Sequence, residues 1–124
     1  MRALAFASAG LVLASAFAGA ADSRTASSGL RGTVMRGPTR PVCRQGEPCE
    51  APAKGLLLQF RRDGRVKAQV KTSRAGRYLV RLRPGRYVVT SPALKPWQQL
   101  SPRVVRAPHG RVGRVDLHLD TGLQ

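Results

Sequence analysis

Aromatic and acidic side chains are the scarcest groups in this sequence. Its 124 residues include one Trp, two Tyr and three Phe, and only six Asp or Glu. Apolar residues still make up 42 % of the chain. We therefore expect a core built mainly from Val, Leu and Ala, in a chain long enough for one domain and too short for two.

Recognisable catalytic motifs are missing as well. There is no nucleophile elbow, Walker-type loop, His-Glu-x-x-His or paired-carboxylate motif. His109 lies in a Pro-His-Gly turn. Asp116, His118 and Asp120 alternate along one strand face and could together ligate a metal, although a solvated strand face is the favoured interpretation. We expect no enzymatic activity, no catalytic or metal site and no cofactor.

The charge is strongly one-sided. The chain carries 22 Lys and Arg against six acidic residues, a formal net charge of +16. Such an excess attracts polyanions, although a GC-rich genome would give the same abundance of Arg without any function. The Arg residues are spread along the chain, which disfavours nucleic acid. An anionic cell-surface polymer or another extracytoplasmic protein is the partner we expect.

The N-terminus has the features of an export signal. Arg2 precedes an apolar stretch that closes on small residues, and residues 18–20 or 19–21 fit the small-x-small cleavage pattern. We expect a cleaved signal peptide over 1–21, a flexible linker over 22–28 and one domain over 29–124; an uncleaved anchor is the alternative. The mature form would have no transmembrane helix and would be secreted or held in the cell envelope.

Two cysteines fit the same compartment. Cys43 and Cys49 flank a loop rich in Gly and Pro, which in an exported chain indicates a disulfide. Zinc would need more ligands, and a redox pair usually has the Cys-x-x-Cys spacing. We also expect the Pro-rich segment around the bridge to form no ladder strand.

Strand signals recur along the remaining chain, whereas helix signals are nearly absent. Residues 91–102 hold three Pro and the only Trp and are expected to form a loop. The predicted strands are 30–36, 55–61, 65–72, 77–83, 86–90, 103–107 and 113–120. About seven short antiparallel strands, each apolar on one face, predict an all-β Greek-key β-sandwich of immunoglobulin-like size. A small open barrel is the alternative.

The basic residues of two neighbouring strands give the main candidate site. If strands 65–72 and 77–83 pair as a hairpin, their outward cations form one basic patch suited to a polyanion; a merely solubilising surface is the alternative. The members of this patch are Arg65, Lys67, Lys71, Arg77, Arg81 and Arg83. Trp97 is a candidate partner contact, or else it caps the end of the core.

One stretch resembles a known family. Gly76-x-Tyr78, followed by Leu-x-Pro84-Gly85-x-Tyr87, is similar to the motif of carboxypeptidase regulatory-like domains, also called transthyretin-like or prealbumin-like. Gly32-x-Val and 55–60 resemble the first two strands of that family. Where the family often has Asp, this chain has Ser73, whose hydroxyl can still cap the turn. The resemblance implies a transthyretin-like sandwich and says almost nothing of function.

These observations favour a non-catalytic module that binds a protein or an anionic polymer through a basic sheet face. A purely structural accessory domain is the alternative. A transthyretin-like hydrolase is a remote one, because the chain lacks the C-terminal Tyr-Arg-Gly-Ser tail of the 5-hydroxyisourate hydrolases of that fold.

Overall fold

The computed structural model describes residues 28–123, and within that range the protein is all β with no helix. The signal peptide and nearly all of the linker expected from the sequence lie outside the described residues. Ser28, assigned to the linker, is buried, and its Oγ accepts a hydrogen bond from the Gly110 N–H at 2.9 Å. The packed domain therefore includes residue 28.

Within residues 28–123, ten strands form two sheets. In chain order they are β1 (Gly29–Gly37), β2 (Ala51–Pro52), β3 (Leu57–Arg62), β4 (Arg65–Lys71), β5 (Arg77–Arg81), β6 (Gly85–Thr90), β7 (Gln99–Ser101), β8 (Val104–Ala107), β9 (Val112–Arg114) and β10 (Leu117–Asp120). Four of them form the antiparallel sheet β4-β3-β6-β8, and the other six form a sheet organised around β1.

Strand β1 is long enough to serve two sets of neighbours. Its first half pairs with β5 antiparallel and with β9 parallel. Its second half pairs with β2 antiparallel and with β10 parallel, and β7 extends the sheet beyond β10. The expectation of purely antiparallel pairing is therefore wrong for the two ladders that join the first strand to the last ones.

The two sheets bury their apolar faces against each other, as in a β-sandwich. Leu30, Val34, Leu58 and Phe60 are fully buried. The remaining core residues come from both sheets; the larger ones are Tyr78, Val80, Leu82, Tyr87, Val89, Leu100, Val105, Leu117 and Leu119. The alternation read from strands 77–83 and 86–90 is confirmed, since every residue assigned inward there is buried.

The strand count exceeds seven for two reasons. Short strands form inside segments predicted to be loops: β2 pairs with Met35 and Arg36, and β7 pairs with β10. The predicted strand 113–120 is also divided at Val115 and Asp116. The prediction that no ladder strand forms near the disulfide is therefore wrong. The β2 ladder has only two residues, and Pro52 can occupy its end.

The inward assignment of Val66 is wrong. The β3–β4 register shifts between Phe60 and Arg61, so that Ala68 lies opposite Phe60 while Val66 lies opposite Arg61. A bulge of one residue moves the following side chains to the other face of a strand. Val66 is accordingly 40 % exposed.

The hairpin expected between strands 65–72 and 77–83 does not form. Strand β4 pairs with β3 and stands at the edge of the four-stranded sheet, whereas β5 pairs with β1 in the other sheet. The chain crosses from one sheet to the other through residues 72–76, which we call the arch. The six predicted cations therefore do not lie on one sheet face.

Candidate polyanion interface

The arch is held by side chains that its sequence supplies. Ser73 Oγ accepts hydrogen bonds from the N–H groups of Ala75 and Arg77 at 3.3 and 3.1 Å, which confirms the cap expected of its hydroxyl. The buried Thr72 Oγ1 donates to the Ala53 carbonyl and accepts from the Leu56 N–H at 2.8 Å. These bonds fix where β4 ends and where β5 begins.

Gly76 completes the crossing because its backbone has a positive φ of 75°. Its carbonyl oxygen accepts the Val34 N–H at 2.7 Å, and a Cβ at this position would come within 2.5 Å of the Val34 carbonyl oxygen. Only glycine combines that φ with so close an approach. The arch is thereby fastened to the middle of β1.

Two open grooves lie along the line where β4 and β5 face each other, which we call the seam. The proximal groove, next to the arch, encloses about 580 Å³. Lys71 reaches it from one sheet and Arg77 from the other, and Leu79 forms its apolar part. Two further cations complete it, Arg31 from β1 and Arg114 from β9.

The distal groove lies at the other end of the seam and encloses about 890 Å³. Lys67 reaches it from β4, while Arg81 and Arg83 reach it from the opposite sheet. Arg62, His109 and one acidic residue, Asp63, also line it. Each groove thus receives cations from both sheets.

Arg62 forms part of the floor of the distal groove. Its guanidinium carbon lies 5.4 Å from the centre of the Tyr87 ring, and its Nη1 donates to the Pro84 carbonyl at 3.3 Å. The Tyr87 hydroxyl donates to the Arg83 carbonyl at 2.7 Å, the geometry of a tyrosine corner. The motif residues therefore organise the backbone beneath this groove.

Few carboxylates balance the cations. Ion pairs join Arg40 with Glu47, Arg114 with Asp116 and His118 with Glu50, and Arg114 is a groove cation. Asp116 accepts the Thr33 N–H at 2.9 Å, and this bond, helped by Arg114 and Arg31, holds the pKa of the carboxyl below its usual value. Asp116 therefore stays charged and orients Arg114 at the edge of the proximal groove.

Five of the six predicted cations line a groove, and Arg65 lines neither. Four further lining residues, Arg31, Arg114, Arg62 and His109, were not predicted. Arg31 and Arg114 come from β1 and β9, which are distant in sequence from β4 and β5, whereas Arg62 ends β3 and His109 lies in the turn between β8 and β9. Arg31 could have been suspected, because it alternates with the buried Leu30. The bulge in β3–β4 leaves Lys67 without a paired residue and turns Val66 outward, and no feature of the alternation indicates that bulge.

Trp97 does not cap the core. Its side chain is 62 % exposed, and its indole lies against Gly122, which has a positive φ of 77°. Lys95 Nζ lies 6.0 Å from the ring centre. Trp97 lines neither groove, so it forms no part of the seam.

The predicted disulfide Cys43–Cys49 is present, with Cα atoms 5.6 Å apart. The Asp116, His118 and Asp120 side chains have separate partners: Asp116 as described above, while His118 contacts Glu50 at 3.0 Å and Asp120 accepts the Gly122 N–H at 2.9 Å. Over 28–123 no group of three or more His, Cys, Asp or Glu is arranged to hold a metal ion. Over the same range, no helix has the length and hydrophobicity needed to span a membrane.

No model of a protein family matches this chain, and no curated protein matches its sequence.

Proposed function

We propose that this protein is an exported, non-catalytic β-sandwich module that binds an anionic polymer outside the cytoplasm. The observation that carries the proposal is the seam, where cations from two different sheets converge on two open grooves. Each groove holds four Lys or Arg side chains, and the seam strands β4 and β5 contain no acidic residue. Concentrated charge of one sign raises the local concentration of a ligand of the opposite sign.

The arrangement supports binding by a polymer better than a solubilising role. Charged side chains that serve only solubility do not need to lie close to one another. Here the arch sends β4 and β5 to different sheets, and Lys67 and Lys71 of β4 line the same grooves as the cations of β5. Arginine predominates in both grooves, and its guanidinium binds phosphate, sulfate and carboxylate groups in a forked geometry.

Export is part of the proposal. The leader pattern over 1–21 and the Cys43–Cys49 disulfide both support an oxidising compartment. Intact mass of the extracellular product tests it. A secreted protein that begins after residue 20 or 21 is expected, and one that begins at Met1 would contradict cleavage.

We also propose a Greek-key, transthyretin-like arrangement related to the carboxypeptidase regulatory-like domains. Support comes from the motif itself: Gly76 closes the arch, and Tyr78 and Tyr87 are buried with hydroxyls bonded to main-chain carbonyls. This kinship is a proposal about fold and adds nothing to the choice of ligand.

Retention on immobilised polyphosphate tests the binding function. The variant Lys71→Ser/Arg77→Ser should elute at lower salt, and its binding should depend less on salt, by about one in the logarithmic slope for each phosphate that is no longer bound. Arg103→Ser/Arg106→Ser is the matched control, since it removes the same charge from around β8, at the opposite edge of the β4-containing sheet. Equal behaviour of the two variants would refute a role for the seam.

A further inference from the structure

The two grooves are arranged along one line. Lys71 and Arg77 flank the arch, and Lys67 and Arg81 each lie four residues further from it on their strands. At a rise of roughly 3.3 Å per residue, the two groups of cations are about 13 Å apart along the seam. A single small anion is much shorter than that, whereas an extended polymer spans it easily.

Along β4 and β5, no negatively charged residue lies between the two grooves. On β5, Leu79 lies between Arg77 and Arg81; it is 55 % exposed and also lines the proximal groove. No acidic residue occurs in β4 or β5. A polyanion that occupies one groove can therefore continue into the other without meeting a carboxylate on these strands.

Over residues 28–123, the two grooves contain no exposed Phe, Tyr or Trp ring on which nucleobases could stack. Tyr78 and Tyr87 line the grooves but are only 4 % and 3 % exposed, and Arg62 covers the Tyr87 ring, whereas the imidazole of His109 is exposed in the distal groove. Sequence-tolerant binding of single-stranded nucleic acid relies on exposed aromatic platforms. The grooves therefore favour a polymer recognised mainly through its charged groups.

Each groove by itself is a shallow site. Both are open to solvent, and exposed charge pairs contribute little individually because water and salt screen them. When one chain binds two such sites, the second binding event is intramolecular and the apparent affinity exceeds that of either site by roughly 10²-fold or more. A chain that occupied both grooves would therefore bind far more tightly than one that occupied a single groove.

We propose that the ligand is a linear polymer with repeating oxyanions that must be long enough to occupy the proximal and distal grooves together. This inference rests on the proposed function and adds a minimum chain length to it. Polyphosphates and polyuronates share the required chemistry, because each carries an oxyanion on every repeat of an extended chain.

Affinity measured by calorimetry across a polyphosphate length series tests the inference. With the purified protein, binding should strengthen by about 10²-fold between tripolyphosphate and chains several times longer. Lys71→Ser/Arg77→Ser in the proximal groove, or Lys67→Ser/Arg83→Ser in the distal groove, should remove that gain. Arg103→Ser/Arg106→Ser should keep it. Thermal unfolding without ligand checks that each variant remains folded.

The outcomes separate the two proposals. Binding to no polyanion would overturn the proposed function and this inference with it. Equal affinity for short and long chains, or loss of the length gain in only one of the two groove variants, would overturn the inference alone. A polyuronate series identifies the preferred oxyanion, and a length gain on either polymer supports the inference. Tighter binding of a single-stranded oligonucleotide of equal charge would overturn it in favour of nucleic acid.

Discussion

The hydroxyl of Tyr78 donates a hydrogen bond to the carbonyl oxygen of Val115 at 2.5 Å. Val115 lies at the break between β9 and β10, and its N–H donates to the Arg31 carbonyl at 2.8 Å. The main-chain groups of Val115 are thus satisfied by one side chain and one neighbouring strand. Tyr78 therefore packs in the core and also donates a hydrogen bond to a carbonyl group that lies outside the regular strand ladders.

Replacing Tyr78 with Phe should destabilise the domain by about 1–3 kcal/mol, because the Val115 carbonyl loses its partner while the ring packing remains. Chemical denaturation followed by tryptophan fluorescence measures the change. Tyr87→Phe is the informative comparison, since it removes a hydroxyl bonded to a carbonyl only four residues away. A Tyr78→Phe protein as stable as the parent would show that this bond contributes nothing net.

Stability should also fall at alkaline pH through Tyr78. Burial, with a smaller contribution from Asp116, raises the pKa of Tyr78 from 10.0 to about 12. The folded state therefore keeps the phenolic proton that the unfolded chain releases above pH 10.0. This stabilisation is fully present below pH 10.0 and is lost as the pH rises to about 12. Denaturation midpoints measured across that window should drop in the parent and drop less in Tyr78→Phe; parallel curves would contradict the assignment.

Gly32→Ala should cost about 3 kcal/mol or more, or prevent folding. A Cβ at residue 32 would overlap the Val115 carbonyl oxygen, which Tyr78 holds in place. Gly46→Ala is the control for a glycine in open space, where only its positive φ opposes the substitution. Equal losses of unfolding free energy in the two variants would rule out the close approach as the cause.

Removing the disulfide with Cys43→Ser/Cys49→Ser should lower the free energy of unfolding by about 2 kcal/mol, the value expected for closing so short a loop. The Arg40–Glu47 ion pair crosses the same loop and remains in the variant. Polyphosphate affinity should not change, since neither cysteine lines a seam groove. Reduced affinity would place the disulfide loop in the binding surface.

The sequence predicted the local features of this fold better than its pairings. Tyr78, Val80 and Leu82 are buried, as the alternation predicted. Side chains on one face of a strand recur at every second residue, so the buried face can be recognised from the sequence. The alternation does not indicate which strands are neighbours in a sheet. Strands β4 and β5 follow each other closely, as in a hairpin, yet the arch sends them to different sheets.

The residues of the candidate site could likewise be predicted only where they are close in sequence. Lys71 and Arg77 could be nominated because they are cations close in sequence, and they do line one groove. Arg31 and Arg114 complete that groove only because β1 pairs with both β5 and β9. Pairing between parallel strands that are far apart in sequence produces no local sequence pattern. The full set of groove cations could therefore be identified only from the structure.

The same parallel pairing constrains the order in which the domain can be assembled during synthesis. Strand β1 needs β9 and β10 as neighbours, and Thr33 and Asp116, joined by a hydrogen bond, are 83 residues apart. Closing so long a loop is slow and becomes possible only after nearly the whole domain has left the ribosome. The nascent chain therefore remains without the sheet organised around β1 until translation of the domain is almost complete.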